Sequence, residues 1–79
     1  MTGKNGIRAE GLSVLVVDDS AYNRKMIRAM LFDMDEIGEI KAVSDGEEAI
    51  KTVMADPPDV ITLDLNMPRM DGFTFLRWL

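Results

Sequence analysis

Three short apolar runs alternate along the chain with stretches in which apolar residues recur every three or four positions. The first run, Leu12–Val17, is rich in β-branched residues and apolar on both faces, as is typical of a strand buried in a parallel sheet. Residues 39–43 predict a second, weaker strand, and residues 59–63 predict a third that ends at Asp64. Residues 1–11 carry no such pattern and are predicted to be a flexible lead-in.

The stretches between and after these strands have the spacing of amphipathic helices. Ser20 is placed to cap the first helix, and Asp45, with a glutamate three residues later, is placed to cap the second. A third helix is predicted to begin near Asp71 and Gly72. The apolar positions of the three helices are, in order, Met26, Ile27, Met30, Leu31 and Met34; Ala49, Ile50, Val53 and Met54; and Phe73, Leu76 and Leu79. The methionines among them are expected to fill gaps in the core.

Strands and helices that alternate in the order β-α-β-α-β-α predict an α/β fold with a parallel sheet and right-handed crossovers. If the first strand is central, the second and third lie on either side of it, which gives the strand order 2-1-3 of a partial doubly wound sheet. Open α/β sheets bind ligands beyond the carboxyl ends of the strands, where the chain changes direction. Those ends, on strands one and three, carry Asp18 with Asp19, and Asp64. The topology therefore predicts that three carboxylates share one crevice.

Three carboxylates in one crevice repel one another unless a cation lies among them. Magnesium suits such a site because it prefers oxygen ligands, is held by one or two carboxylates, and keeps waters that a phosphate oxygen can replace. A carboxylate can also act as a nucleophile and form an aspartyl phosphate. Any single aspartate is better explained as a helix cap or a polar strand end, and Asp45 and Asp71 are assigned to these structural roles, as an N-cap and a turn residue. The position of Asp18, Asp19 and Asp64 at the ends of apolar strands favours a functional site.

The composition excludes several other classes of site. A formal net charge of −5 and the lack of a basic cluster argue against nucleic-acid binding. The 79 residues contain neither cysteine nor histidine, so any catalysis has to use carboxylates rather than thiolates or imidazoles. No apolar run has the length of a signal peptide or of a membrane span, and a cytoplasmic location is the default expectation.

Three segments of the chain resemble response-regulator receiver domains: Val14–Ser20, Asp45–Ala49 and Pro58–Gly72. The third segment, with the sequence PDVITLDLNMPRMDG, is the most specific. The resemblance covers residues 12–79. It implies a receiver domain with the flavodoxin-like version of the doubly wound fold.

By this resemblance, Asp64 is the phosphoacceptor, and Asp18, Asp19 and Asp64 bind magnesium together with the backbone carbonyl of Asn66. The phosphoryl donor is a phosphohistidine on a sensor histidine kinase or a histidine phosphotransfer protein, or else a small phosphodonor. Such a donor suits a chain that has no histidine of its own. Transfer at such a site depends mostly on positioning and charge neutralisation, so the metal and the acceptor suffice to start the reaction.

The end of the third strand and the loop after it are also similar to the receiver of chemotaxis protein-glutamate methylesterases, in which a catalytic domain follows. No independent enzymatic activity is expected of the receiver segment itself. Members of the family have five strands, whereas residues 12–79 account for three, so a truncated receiver that lacks the last two strands is expected. In the family, those two strands carry the Ser or Thr and the Lys that contact the phosphoryl group.

A sheet that ends at the third strand leaves residues 59–64 as an open edge. Open apolar edges pair with other chains because their backbone N–H and C=O groups lack partners. The chain is therefore expected to dimerise or otherwise self-associate through this strand.

Two other functions stay open from the residues alone. One is a structural or self-associating receiver fragment that is not phosphorylated. The other is a magnesium-dependent phosphohydrolase of the haloacid-dehalogenase kind, whose nucleophilic aspartate also follows a buried strand. That family has a second aspartate two residues after the first, and Asn66 stands at that position here.

Overall fold

The computed structural model describes residues 11–64, which form five elements in alternating order. The elements are β1 (Leu12–Val17), α1 (Ala21–Phe32), β2 (Ile37–Val43), α2 (Gly46–Ala55) and β3 (Val60–Leu63). All strand pairs are parallel, and the strand order is β2-β1-β3. The predicted α/β class and strand order are confirmed. The predicted third helix and Asn66 lie outside the described residues.

Parallel pairing places the carboxyl ends of β1 and β3 side by side. Val14 pairs with Val60 and Val17 with Leu63, so the two strands are in register up to their last residues. On the other side, β1 pairs with β2 from Leu12 to Val17, with a shift in register between Leu12 and Val14. The next residue after each of β1 and β3 is an aspartate, so the sheet itself brings these residues together.

The core lies between the sheet and α2. Leu15 and Val17 of β1 are fully buried there with Val43 and Ala49. Four partly buried residues pack against this cluster: Ile50, Val53, Ile61 and Leu63. Because side chains alternate along a strand, Val14 and Val16 point to the opposite face, and they too are buried. Both faces of β1 are therefore covered, as its apolar sequence predicts.

Both helices begin at the predicted caps. The Ser20 side chain accepts a hydrogen bond from the backbone N–H of Asn23 at 3.2 Å. The Asp45 side chain accepts one from the backbone N–H of Glu48 at 2.8 Å. The Glu48 side chain in turn accepts from the backbone N–H of Ser44 at 3.3 Å. These bonds satisfy donors that a helix start would otherwise leave without partners.

The prediction that the methionines fill the core is wrong for the described ones. Met26, Met30 and Met54 are 45 %, 63 % and 69 % exposed. Helix α1 ends at Phe32, so Met34 lies beyond it, and Met34 is also exposed. The α1 residues that are only half-exposed are Arg24, Ile27 and Leu31. The helix therefore packs against the sheet only along the narrow line of these three residues, and the methionines lie beside that line.

The second strand begins two residues before the predicted start at Glu39. Ile37 is held by a hydrogen bond from its N–H to the Met34 carbonyl at 3.1 Å. Next to it, the Leu12 N–H donates to the Glu36 carbonyl at 2.8 Å. The turn bond at Ile37 and the long-range bond from Leu12 together lengthen β2 beyond its apolar run. None of the helices within residues 11–64 is long and apolar enough to cross a bilayer, and the cytoplasmic location stays a prediction.

A reciprocal hydrogen-bonded clamp closes the amino ends of β1 and β3. The Ser13 N–H and hydroxyl both donate to Oδ2 of Asp59, at 2.8 and 3.2 Å. The Asp59 N–H lies 3.0 Å from the Ser13 hydroxyl oxygen and 2.9 Å from its carbonyl. Asp59 was predicted to open the third strand and instead precedes it, fixing the register from that end.

At the outer edge of the described sheet, Lys41 on β2 lies between two carboxylates. Its Nζ is 3.0 Å from Oδ2 of Asp56 and 3.7 Å from Oε2 of Glu39. The hydrogen bond to Asp56, followed by the charges of both carboxylates, raises the pKa of Lys41. A lysine that stays charged on an edge strand opposes pairing of that edge with another chain.

Candidate functional site

The two strands that carry the aspartates stay hydrogen-bonded up to these residues. The Asp18 N–H donates to the Val43 carbonyl of β2 at 3.2 Å. The Asp64 N–H donates to the Val17 carbonyl of β1 at 3.0 Å. The backbone at both aspartates is therefore hydrogen-bonded to the sheet, which fixes the positions of their Cα atoms.

Asp18, Asp19 and Asp64 form one acidic cluster at this edge of the sheet. Each offers one carboxylate oxygen, and the three oxygens lie within 4.8 Å of one another. Asp18 is only 6 % exposed, Asp64 is half-buried, and Asp19 is exposed. The cluster thus extends from the interior to the surface, and a ligand can reach it from the side of Asp19.

Asp18 is the most constrained member of the cluster. Its Oδ1 accepts a hydrogen bond from the Ser20 N–H at 2.9 Å. Its backbone carbonyl accepts one from Nη1 of Arg24 at 2.8 Å, across the first turn of α1. The turn that carries Asp18 and Asp19 is therefore tied to both the sheet and the helix. One oxygen of the Asp18 carboxylate is already used, which orients the other.

The donor set fits a hard divalent cation. Three carboxylate oxygens close enough to share one ion, with no nitrogen or sulfur donor among them, match the preference of Mg²⁺ for oxygen ligands. Asp19 is exposed, so there is room for the water ligands that Mg²⁺ keeps. The residues present therefore fit magnesium.

A cavity of about 210 Å³ opens beside the cluster on the α1 face of the sheet. Its lining residues are Val17, Asp18, Asn23, Ile27, Thr62, Leu63 and Asp64. Thr62 lies on β3 two residues before Asp64. Its Oγ1 atom is buried and has no hydrogen-bond partner among the residues that the structure describes.

The structure brings together the three aspartates that the topology predicts, and their roles stay predictions. Asn66, the fourth predicted ligand, lies outside the described residues. Two neighbours of the cluster were not predicted. Thr62 has a sequence signal, since the two-residue period of a strand places it on the same face as Asp64. Arg24 has none, because a polar residue in the first turn of an amphipathic helix is expected to face solvent.

Comparison with known protein families gives one match over most of the chain. Residues 14–79 match the family described as response regulator receiver domain. The matched region includes all three aspartates of the acidic cluster.

Curated relatives extend this similarity. The chain is 53 % identical over 66 residues to protein-glutamate methylesterase/protein-glutamine glutaminase 3 of Geobacter sulfurreducens, covering 84 % of this chain and 18 % of that protein. It is 48 % identical over 68 residues to the corresponding protein 1 of Myxococcus xanthus, covering 86 % and 20 %. The chain therefore spans about a fifth of the length of the curated relatives it matches.

Solved structures agree with the fold. The response regulator domain of Thermotoga maritima CheB is 34 % identical, with a TM-score of 0.79, covering 85 % of this chain and 50 % of that one. The N-terminal domain of a response regulator receiver protein from Methanoculleus marisnigri is 33 % identical, with a TM-score of 0.78, covering 85 % and 53 %. The similarity to receivers of methylesterases that the sequence indicates is thus confirmed.

Proposed function

We propose that this chain, which belongs to the response regulator receiver domain family, accepts a phosphoryl group on Asp64. The observation that carries the proposal is the meeting of three carboxylate oxygens within 4.8 Å at the ends of adjacent parallel strands. Asp64 is the half-buried member of this cluster, at the end of β3. A nucleophilic carboxylate and a cation site next to it are what an aspartyl phosphate requires.

The residues of the cluster have separate roles in this proposal. Asp18, Asp19 and one oxygen of Asp64 would hold Mg²⁺, together with the backbone carbonyl of Asn66. When bound, Mg²⁺ offsets the negative charge of the carboxylates and of the incoming phosphoryl oxygens. The Ser20 N–H donates to the Asp18 carboxylate and the Arg24 side chain donates to the Asp18 carbonyl, and these bonds keep the residue in place before the donor arrives.

The reaction is a phosphoryl transfer from a donor in trans. An Asp64 carboxylate oxygen forms a bond to phosphorus, and the bond between phosphorus and the donor's imidazole nitrogen breaks. The electron pair of that bond stays on the nitrogen, so the donor histidine ends unphosphorylated. The chain has no histidine, which supports a sensor histidine kinase or a histidine phosphotransfer protein as the partner.

The relatives suggest the setting of this receiver. Their names describe protein-glutamate methylesterases and protein-glutamine glutaminases, and this chain matches about a fifth of their length. We propose that it serves as the receiver of such a chemotaxis enzyme, so that phosphorylation of Asp64 controls a methylesterase carried elsewhere in the protein.

The test is to incubate the chain with acetyl phosphate and Mg²⁺ and to measure its intact mass. We expect an increase of one phosphoryl group that is lost with base, and peptide mapping that places it on Asp64. Asp64→Asn should give no adduct. Asp45→Asn is the matched control, because it removes the same charge outside the cluster and asparagine caps a helix as well as aspartate does.

Other outcomes separate the alternatives. A folded chain that shows no adduct, beside a labelled full-length receiver, contradicts the proposal and favours a structural fragment. Repeated hydrolysis of generic phosphomonoesters favours the phosphohydrolase.

We also propose that the isolated 79-residue chain dimerises through β3. In the described sheet, β3 is an outer strand, and Val60 on it is 41 % exposed, whereas the other edge carries the charged Lys41. Val60→Lys should therefore convert the dimer to a monomer in sedimentation velocity, since a charge on an edge strand opposes pairing. Met54→Lys, at a residue on α2 that is 69 % exposed, should leave the dimer unchanged. A wild-type monomer at high concentration would contradict this proposal.

A further inference from the structure

Thr62 occupies a position where its hydroxyl group has no hydrogen-bond partner among residues 11–64. It lies on β3 between Ile61 and Leu63, and it pairs with Val16, which is fully buried. Its Oγ1 is buried and makes no hydrogen bond within residues 11–64. A buried hydroxyl that lacks a partner lowers stability, whereas valine would fill nearly the same volume without that cost.

Thr62 and Asp64 lie on the same face of the sheet and line the same cavity. Residues two apart on a strand point to the same face, so both side chains face the α1 side of the sheet. Both line the cavity of about 210 Å³, together with the polar residues Asp18 and Asn23. Rotation about the Cα–Cβ bond of Thr62 exchanges its methyl and hydroxyl groups without changing the volume of the side chain.

The cavity can hold ordered water. A water molecule takes about 30 Å³ in the liquid and needs two to four polar partners. The cavity is several times that size, and Thr62, Asp64 and Asn23 among its lining residues carry polar groups that can bond to water. A water between Thr62 and Asp64 would satisfy the buried hydroxyl and hold the carboxylate in one orientation.

We infer that Thr62 is a positioning residue for Asp64, and that its hydroxyl orients the carboxylate through a water in this cavity. The inference rests on the proposed function of Asp64 as phosphoacceptor. Thr62 itself neither forms nor breaks a covalent bond in the transfer. It keeps the attacking oxygen directed at phosphorus, and the rate of transfer depends steeply on such alignment.

Two variants separate positioning from packing. Thr62→Val keeps the shape and loses the hydroxyl, and Thr62→Ser keeps the hydroxyl and loses the methyl group. With acetyl phosphate and Mg²⁺, we expect Thr62→Val to be phosphorylated about tenfold more slowly than wild type, and Thr62→Ser to stay close to it. In urea unfolding the order reverses, since the valine variant is at least as stable as wild type and the serine variant is less stable. If Thr62 only packs, the rate follows stability, and the serine variant is the slower one.

A high-resolution crystal structure of the chain without phosphodonor gives a second readout. We expect a water within hydrogen-bond distance of Thr62 Oγ1 and of the Asp64 carboxylate in wild type, and no such water in Thr62→Val. A dry cavity in wild type would overturn the inference. If wild type forms no adduct, the proposed function fails, whereas equal rates for wild type and Thr62→Val refute only the role of Thr62.

Discussion

Replacing Asp18 by asparagine is expected to weaken Mg²⁺ binding by about 100-fold or more. Loss of a residue that only supports a metal ligand costs about 10- to 100-fold in affinity, and Asp18 is a proposed ligand itself. Asparagine keeps an oxygen for the hydrogen bond from the Ser20 N–H but replaces the second carboxylate oxygen with an amide nitrogen. Titration of the chain with Mg²⁺ by isothermal calorimetry measures the loss.

The matched control for this prediction is again Asp45→Asn, which keeps its helix cap. It should bind Mg²⁺ as tightly as wild type, because Asp45 lies outside the cluster. Equal affinities of the Asp18 and Asp45 variants would show that the carboxylate of Asp18 does not hold the metal. A fall in both would indicate a general effect of charge rather than a site.

Replacing Gly11 by alanine is expected to destabilise the fold by about 2 kcal/mol, since inserting a methyl group into a packed region costs roughly 1–3 kcal/mol. A Cβ at this position would overlap the Gly38 backbone nitrogen and lie 2.5 Å from its Cα. It would also lie 2.7 Å from the carbonyl carbon of Ile37. All three are backbone atoms of β2, so relief requires movement of the strand.

Urea unfolding measures this change, with Gly6→Ala as the control. Gly6 stands in the predicted lead-in, where the same methyl group should leave the midpoint unchanged. A Gly11 variant as stable as wild type would mean that the first residues of β2 can move aside at little cost in free energy. The register shift between Leu12 and Val14 is the place where it would do so.

The features that the sequence predicts well are those that follow from local periodicity and from topology. The apolar run Leu12–Val17 is a strand with the predicted bounds, and Ser20 and Asp45 cap their helices as expected. The meeting of Asp18 and Asp64 follows from strand order alone, because parallel strands end at the same edge.

The features that escape the sequence depend on distances between parts of the chain that no local pattern records. The close approach of Gly11 to Gly38 is one, and the bond from the Leu12 N–H to the Glu36 carbonyl is another. The exposed Met26 and Met30 show a further limit. An apolar stripe indicates which side of a helix faces the sheet. How many residues of the stripe contact the sheet depends on how the helix packs against it.

The backbone bonds at Asp18 and Asp64 connect the site to the cooperative unfolding of the molecule. Amides that donate to the strand carbonyls of a sheet exchange their hydrogens with solvent in larger openings of a structure than loop amides, which exchange in small local fluctuations. Both aspartates donate to strand carbonyls, so they belong to the slowly exchanging unit of β1 and its neighbours. The acidic cluster therefore keeps its geometry for as long as the sheet is closed, and the two are lost in the same event.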